Sequence, residues 1–274
     1  MPEEVSRVLG QQVAYPQAYA PEILVAIARG QQRELAGLDA ARVSVGQDFW
    51  RAYELSWLDA RGMPQGAVGT MAVPADSPYL IESKSLKLYF NSLNQTRFES
   101  AAQVQAAVTA DLSKVAGSAV VFSLSSLSSA SSFMAASDFS GICLDALSIE
   151  MSDSLLGPAD LVRGQGHAAE TVYTNLFRSN CLVTGQPDWA SVAITYVGCA
   201  IDHASLLRYL LSYRAHCAFH EQCVERIFSD IYAVYSPDVL TVEAQFTRRG
   251  GLDISPIRST VHAVSPKQTR QIRQ

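Results

Sequence analysis

The sequence predicts an α+β fold made of two tandem modules. Three observations lead there. The order strand, strand, helix, helix, strand occurs twice along the 274 residues. LYFNSL at Leu88 to Leu93 is faintly similar to RYLLSY at Arg208 to Tyr213, about 120 residues later and at the same place in that order. Between the halves lie a serine-rich stretch, Ser123 to Ser132, and LLGPADLVRGQG, Leu155 to Gly166, both with loop composition. With 48% hydrophobic residues the chain can bury one large core or two modest ones, and the repeated order favours two, with modules of 1–154 and 155–274 expected.

In the first half, the prolines of YPQAYAP discourage regular structure, and a helix is expected from Ala20 to Ala36. Asp48 to Asp59 carries the Trp50, Tyr53, Leu55, Trp57 spacing of a strand. RGMPQG supplies a turn, and GAVGTMAV the hairpin partner. SLKLYFNSL and FESAAQVQAAVTADLSKV show helical periodicity, and SAVVFSLSSL returns to a strand. In the second half ETVYTNLFRSN and WASVAITYVG are strand-like, LLRYLLSYRAH and HEQCVERIFSDIYAVY helix-like, and VLTVEAQFTRR alternates again. The end, SPKQTRQIRQ, has the composition of a polar tail.

A formal charge of −5 argues against a surface that neutralises nucleic-acid phosphates, so no direct nucleic-acid partner is expected. With no leader-like start and no apolar run of bilayer length, no membrane is expected either, and the chain is read as cytoplasmic. Five cysteines at irregular spacings suit reduced thiols better than a disulfide framework, and no Cys/His group has zinc spacing, so no metal is expected.

Four stretches carry candidate chemistry. In SNCLVTGQPDW, Cys181 lies where a strand runs into a Thr-Gly-Gln-Pro loop and Asp188 closes that loop. A thiol there can act as a nucleophile with the carboxyl exchanging its proton; equally, loop aspartates cap turns, and spacing alone leaves both readings open. In FHEQCVERIF, His220 and Glu221 open a helix; neighbours there diverge by about 100°, so the two suit different walls of a pocket, or simply a helix start. Glu82, Lys84 and Lys87 in LIESKSLKLYF have the pattern of an ordinary charged helix start. In FTRRGGLD, Arg248 and Arg249 precede two glycines, which suits either a phosphate site or a hairpin turn. Neither a GxGxxG nor a Walker loop is present.

Taken together, ESKSLKLYFNS, SNCLVTGQPDW, FHEQCVERIF and TRRGGLD, in that order and with LGQ at Leu9 to Gln11 and YELSWL at Tyr53 to Leu58, resemble the bimodular QueF nitrile-reductase family. The chain departs from the family pattern at Ala28, where proline is expected, and at Tyr213, where phenylalanine is expected. The resemblance implies a tunnelling fold, each module an antiparallel sheet backed by two helices, associated as a homodimer. It implies NADPH-dependent reduction of 7-cyano-7-deazaguanine to its aminomethyl form on the route to queuosine. It also implies Cys181 as nucleophile and Asp188 as proton donor. Ile81, Glu82, Ser83, His220 and Glu221 are then substrate contacts, and Ser83, Lys84, Arg249 and Gly250 contacts of NADPH.

That chemistry explains the loop. A nitrile accepts hydride poorly, whereas thiolate addition with protonation of the nitrogen gives a thioimide, a better electrophile. A donor must hold its proton near neutrality, so a raised pKa is expected for Asp188. Carboxylates of Glu82 and Glu221 suit the paired donors of a guanine-like ring, and Lys84 and Arg249 are expected to pair with the 2′-phosphate that distinguishes NADPH. The alternatives are a pterin or GTP cyclohydrolase-like enzyme of the same fold, which requires zinc, and a non-catalytic purine-binding module, which requires no reactive thiol.

Overall fold

The computed structural model describes residues 15–130, 136–151, 157–182, 184–262, 264–266 and 269–274. Leu9 to Gln11 and the module boundary at Ser154 lie outside the described residues. The first half comprises β1 (Ala26–Ala28), α1 (Arg29–Leu35), β2 (Gly46–Leu58), β3 (Pro64–Pro74), β4 (Tyr79–Ile81), α2 (Ser83–Leu93), α3 (Ala101–Ala116) and β5 (Val121–Ser126). The two-residue β6 (Ile142–Cys143) follows. The second half comprises β7 (Arg163–Asn180), β8 (Pro187–Ile201), α4 (His203–Ser212), α5 (His220–Tyr235), β9 (Val239–Phe246) and β10 (Leu252–Ser259).

The helix expected over Ala20–Ala36 is instead a 3-10 turn at Pro21–Ile23, then β1, then α1. Tertiary pairing overrides the local pattern: Ala26 and Ala28 lie opposite Ile81 and Tyr79 of β4, which takes the Val25–Ala28 stretch out of helical register. The other expected helices and strands form. Eight strands make one sheet in the order β5-β3-β2-β10-β9-β8-β7-β6.

Alternation along the strands builds two cores. Trp50, Leu55, Trp57 and Met71 meet Leu86, Tyr89 and Leu93 of α2 and Val104, Val108 and Leu112 of α3. Val172, Val192, Ile194 and Val242 meet Leu206 and Leu210 of α4 and Val224, Ile227 and Ile231 of α5. Leu144 packs in the second core although it precedes Ser154. Tyr213 has a use for its hydroxyl, which lies 2.9 Å from that of Tyr209, itself a donor to Asp230 at 2.6 Å.

β10 has no counterpart in the sequence reading. Its LDISPIRS alternates only from Leu252 to Ser255 before Pro256 interrupts it, and a proline argues against a central strand. It nevertheless runs antiparallel to β2 from Leu252↔Ala52 to Arg258↔Gly46, and meets β9 only at Ile257 to Ser259. The last strand of the second half thereby completes the sheet of the first, and all eight of its residues are buried.

The expected polar tail is also corrected. Gln271 and Gln274 are buried, Gln274 donates to the carbonyl of Phe246 at 3.1 Å, and Arg273 donates to those of Asn175 at 2.6 Å and Ala190 at 3.2 Å. Polar side chains are needed there because they satisfy backbone carbonyls of the sheet.

At the seam, a buried ionic cluster joins four elements. Asp48 of β2 accepts from Arg29 at 2.5 Å and Arg258 at 2.8 Å. Glu225 of α5 accepts from Arg33 at 2.7 Å and from Arg258 at 2.8 Å. Glu225→Ala would strip a counter-charge from two buried guanidinium groups, so unfolding in urea is expected to show a loss of about 3–5 kcal/mol. A loss within 1 kcal/mol would mean that the cluster is incidental to the fold.

Candidate active site

The β7–β8 hairpin sets the first wall. Ser179 lies opposite Asp188 and Asn180 opposite Pro187. The N–H of Cys181 donates to the carbonyl of Gln186 at 2.8 Å, and that of Gly185 to the carbonyl of Cys181 at 3.0 Å. Gly185 has φ +65°, a conformation glycine adopts without a Cβ clash, which lets the turn close. Side chains two residues apart share a face, so Cys181 stands on the same side as Ser179 and its partner Asp188. Asn180 also pairs with the 216–218 segment, through His216 O at 2.9 Å and Ala218 N at 3.2 Å, which brings the start of α5 alongside.

The start of α2 sets a second wall. Glu82 is buried and is the N-cap: its carboxylate accepts from the N–H groups of Lys84 at 2.8 Å and Ser85 at 2.6 Å. An anion belongs there, beside the helix's unsatisfied donors. Glu82 therefore has a structural role in addition to the expected contact.

At the start of α5, His220 and Glu221 diverge as adjacent helical residues must. The His220 ring stacks on Phe246, centroids 3.9 Å apart and planes within 10°, and its Nε2 is 3.2 Å from Asp188 Oδ2. Its buried Nδ1 has no hydrogen-bond partner among the described residues. Glu221 is buried; burial pushes its carboxyl up to about 7, Asp48 adds to the rise, and Arg29 and Arg258 oppose it.

These walls enclose a cavity of about 470 Å³. Ile81, Glu82, Ser83, Lys84, Cys181, Asp188, His220, Glu221 and Arg249 all line it, so residues from both halves converge on one space. Gly250 does not. It lines an adjoining cavity of about 270 Å³ with Gly251, Glu54 and Asn91, and Lys87 and Leu252 border both spaces. Lys87, read from sequence as part of a charged helix start, is thus a wall residue; burial lowers its pKa, as does Arg249, against Glu82, Asp188 and Cys181. Trp50 and Phe219 also line the main cavity. Helical spacing from Lys84 points towards Lys87 (i, i+3), whereas Trp50 carries only the signal of a core strand.

Two expectations are corrected. Burial does raise the Asp188 carboxyl, but His220 and Arg249 outweigh it and hold its pKa below the usual carboxylate value, not above it. Arg249 is not free for a phosphate, since Nη1 donates to Asp188 and Nη2 to Gln186. Among the described residues, no group of three or more His, Cys, Asp or Glu is placed to hold a metal ion. All five cysteines are unpaired.

Comparison with known proteins defines the class first. Residues 15–124 match the family described as nitrile reductase, 7-cyano-7-deazaguanine-reductase N-term, and residues 187–265 the family described as QueF-like protein. A protein of Dechloromonas aromatica (strain RCB) named NADPH-dependent 7-cyano-7-deazaguanine reductase is 52% identical over 97% of this chain and 94% of its own. Relatives of the same name from Azoarcus sp. (strain BH72) and Xanthomonas campestris pv. campestris (strain B100) are 48% and 49% identical, each over 97% of this chain and 95% and 96% of their own. The chain belongs to the 7-cyano-7-deazaguanine reductase family. An apo crystal structure of archaeosine synthase QueF-Like covers 39% of this chain and 97% of its own at 18% identity with a TM-score of 0.30, too low to bear on the argument.

Proposed function

We propose that this protein uses NADPH to reduce the nitrile of 7-cyano-7-deazaguanine to an aminomethyl group, as a cytoplasmic homodimer supplying queuosine synthesis. The observation that carries the reading, beside family membership, is one cavity holding the Cys181 thiol, the Asp188 carboxyl and two buried glutamates from different halves. The cavity has the size of small-molecule sites. No helix among the described residues is long and apolar enough to cross a membrane.

In this reading Glu82 and Glu221 accept the paired N–H donors of the deazaguanine, with Ile81 and Ser83 beside them and His220 on the far side. The nitrile carbon then lies against Cys181. As the S–C bond forms, one C–N π bond opens and the nitrogen takes a proton. Asp188 receives the thiol proton and passes it to that nitrogen, so the net change is addition of S–H across C≡N. His220 keeps Asp188 oriented.

The residues present fit NADPH. Lys84 and Lys87 bring positive charge to the cavity rim, and Gly250 has φ +58°, where a Cβ would come within 3.0 Å of Lys87 Cδ. A side chain there would strain the backbone and crowd Lys87, which borders both spaces. Ser83, Lys84, Gly250 and, once released by Asp188, Arg249 would hold the cofactor. When bound, NADPH supplies the electrons that take the nitrile to the amine.

We also propose the chain as modules 1–154 and 155–274, the first giving Glu82 and Lys84 and the second Cys181, Asp188 and Glu221. Incubating protein, NADPH and 7-cyano-7-deazaguanine should consume two NADPH per amine formed, because a nitrile reaches an amine by gaining four electrons. A ratio of one, or product without NADPH loss, would rule the reading out.

A further inference from the structure

We propose that Arg249 is a clamp on Asp188: seated on that carboxylate and on Gln186, it holds Asp188 ionised and so limits how fast the Cys181 proton can be relayed to the nitrile. The inference rests on the nitrile-reductase reading of the site.

The geometry is specific. Arg249 donates through Nη1 to Asp188 and through Nη2 to Gln186, both on the β8 side of the turn that carries Cys181. Its side chain keeps about 30% of its exposure while that of Asp188 keeps 3%, so the cation lies at the rim and the carboxylate inside. Arg249 follows β9, outside the hairpin, and its own N–H bonds Leu252 O at 2.9 Å. The guanidinium is thus attached to a different backbone segment from the carboxylate that it holds.

Groups face Asp188 from every side: Cys181 from the hairpin, Lys87 from α2, His220 and the buried Cys223 from α5, and Arg249. Glu82 and Glu221 line the same cavity. His220 and Arg249 together pull its pKa down against burial. The relay runs the other way. The thiol proton must rest on Asp188 before the nitrogen takes it, and a cation on the carboxylate makes that state less populated. The proton count is unchanged throughout: it leaves sulfur, is held by Asp188 and ends on nitrogen as the S–C bond forms.

Thioimide formation needs no cofactor, so it tests the clamp apart from NADPH binding. Parent, Arg249→Gln and Gln186→Ala would be mixed with 7-cyano-7-deazaguanine alone, saturating at each pH so that the Glu221-dependent loss of affinity does not enter the rate, following adduct mass and absorbance from pH 4 to 9. In the parent the acid limb should lie at or below the low end of this range, because His220 and Arg249 hold Asp188 ionised, and the rate should fall only at the alkaline end, where the fully deprotonated Cys–Asp pair is inactive. In Arg249→Gln the acid limb should move up by about one pH unit or more, and the rate on the plateau should rise on the order of tenfold. Gln186→Ala, which frees only the far end of the guanidinium, should move the limb in the same direction by less. His220 contributes equally in all three proteins, so the difference reports Arg249. An unmoved acid limb in both variants, or one displaced to lower pH, would overturn the clamp. Absence of adduct in the parent would instead sink the nitrile-reductase reading.

Discussion

Cys181→Ala is expected to abolish reduction and to leave no protein–substrate adduct. The parent mixed with 7-cyano-7-deazaguanine without NADPH should gain the full substrate mass, since addition expels nothing, and show a new absorbance from the conjugated thioimide. Removing the nucleophile removes a bond rather than a contact, so no residual route through Asp188 remains. Asp188→Asn should form the adduct slowly, because an amide still hydrogen-bonds the nitrogen but cannot relay the proton. Full turnover by Cys181→Ala would exclude covalent catalysis.

Substrate affinity should fall as pH drops through about 7, and Glu221 should be the reason. Buried beside Asp48, its carboxyl is held up to about 7, whereas the paired donors of the substrate require the carboxylate. Below that value binding must first expel a proton, at about tenfold in Kd per pH unit. Stability runs in the opposite sense: with the folded pKa raised, the contribution of Glu221 is fully present below about 4.5 and is lost as pH rises to about 7. Glu221→Gln should remove the pH dependence of binding and weaken it at pH 8 by about 1.5–3 kcal/mol, one to two orders of magnitude in Kd. Calorimetry on folded protein at pH 6 and 8 would decide it; a Kd unchanged between the two would contradict the assignment. Glu82→Ala, by contrast, should lower both affinity and the melting temperature, because that carboxylate also caps α2.

Periodicity made most elements legible. α2, α3, α4 and α5 carry clear apolar faces, and β2, β3, β8 and β9 alternate with their cores. β1 and β10 were not legible because pairing partners made them: β4 holds a three-residue strand inside a helix-like run, and β2 accepts a strand containing Pro256. Residue type and local spacing likewise placed Cys181 and Asp188 at the two ends of one turn. The electrostatics of that turn were beyond reach. The partners that depress Asp188 are His220, from α5, and Arg249, from 61 residues away, and burial together with the Asp48 carboxylate of β2 raises Glu221. Proton affinity depends on neighbours that only the fold assembles.

The position of β10 bears on how the two halves are inherited together. Because the second half supplies a strand to the sheet of the first, neither is a complete unit without the other, and the join costs little entropy while one chain carries both. Separated into independent polypeptides, the pieces would meet at cellular concentration instead of the far higher effective concentration that a tether provides. A chain that closes its sheet with a strand lent across the two halves has lost the option of coming apart.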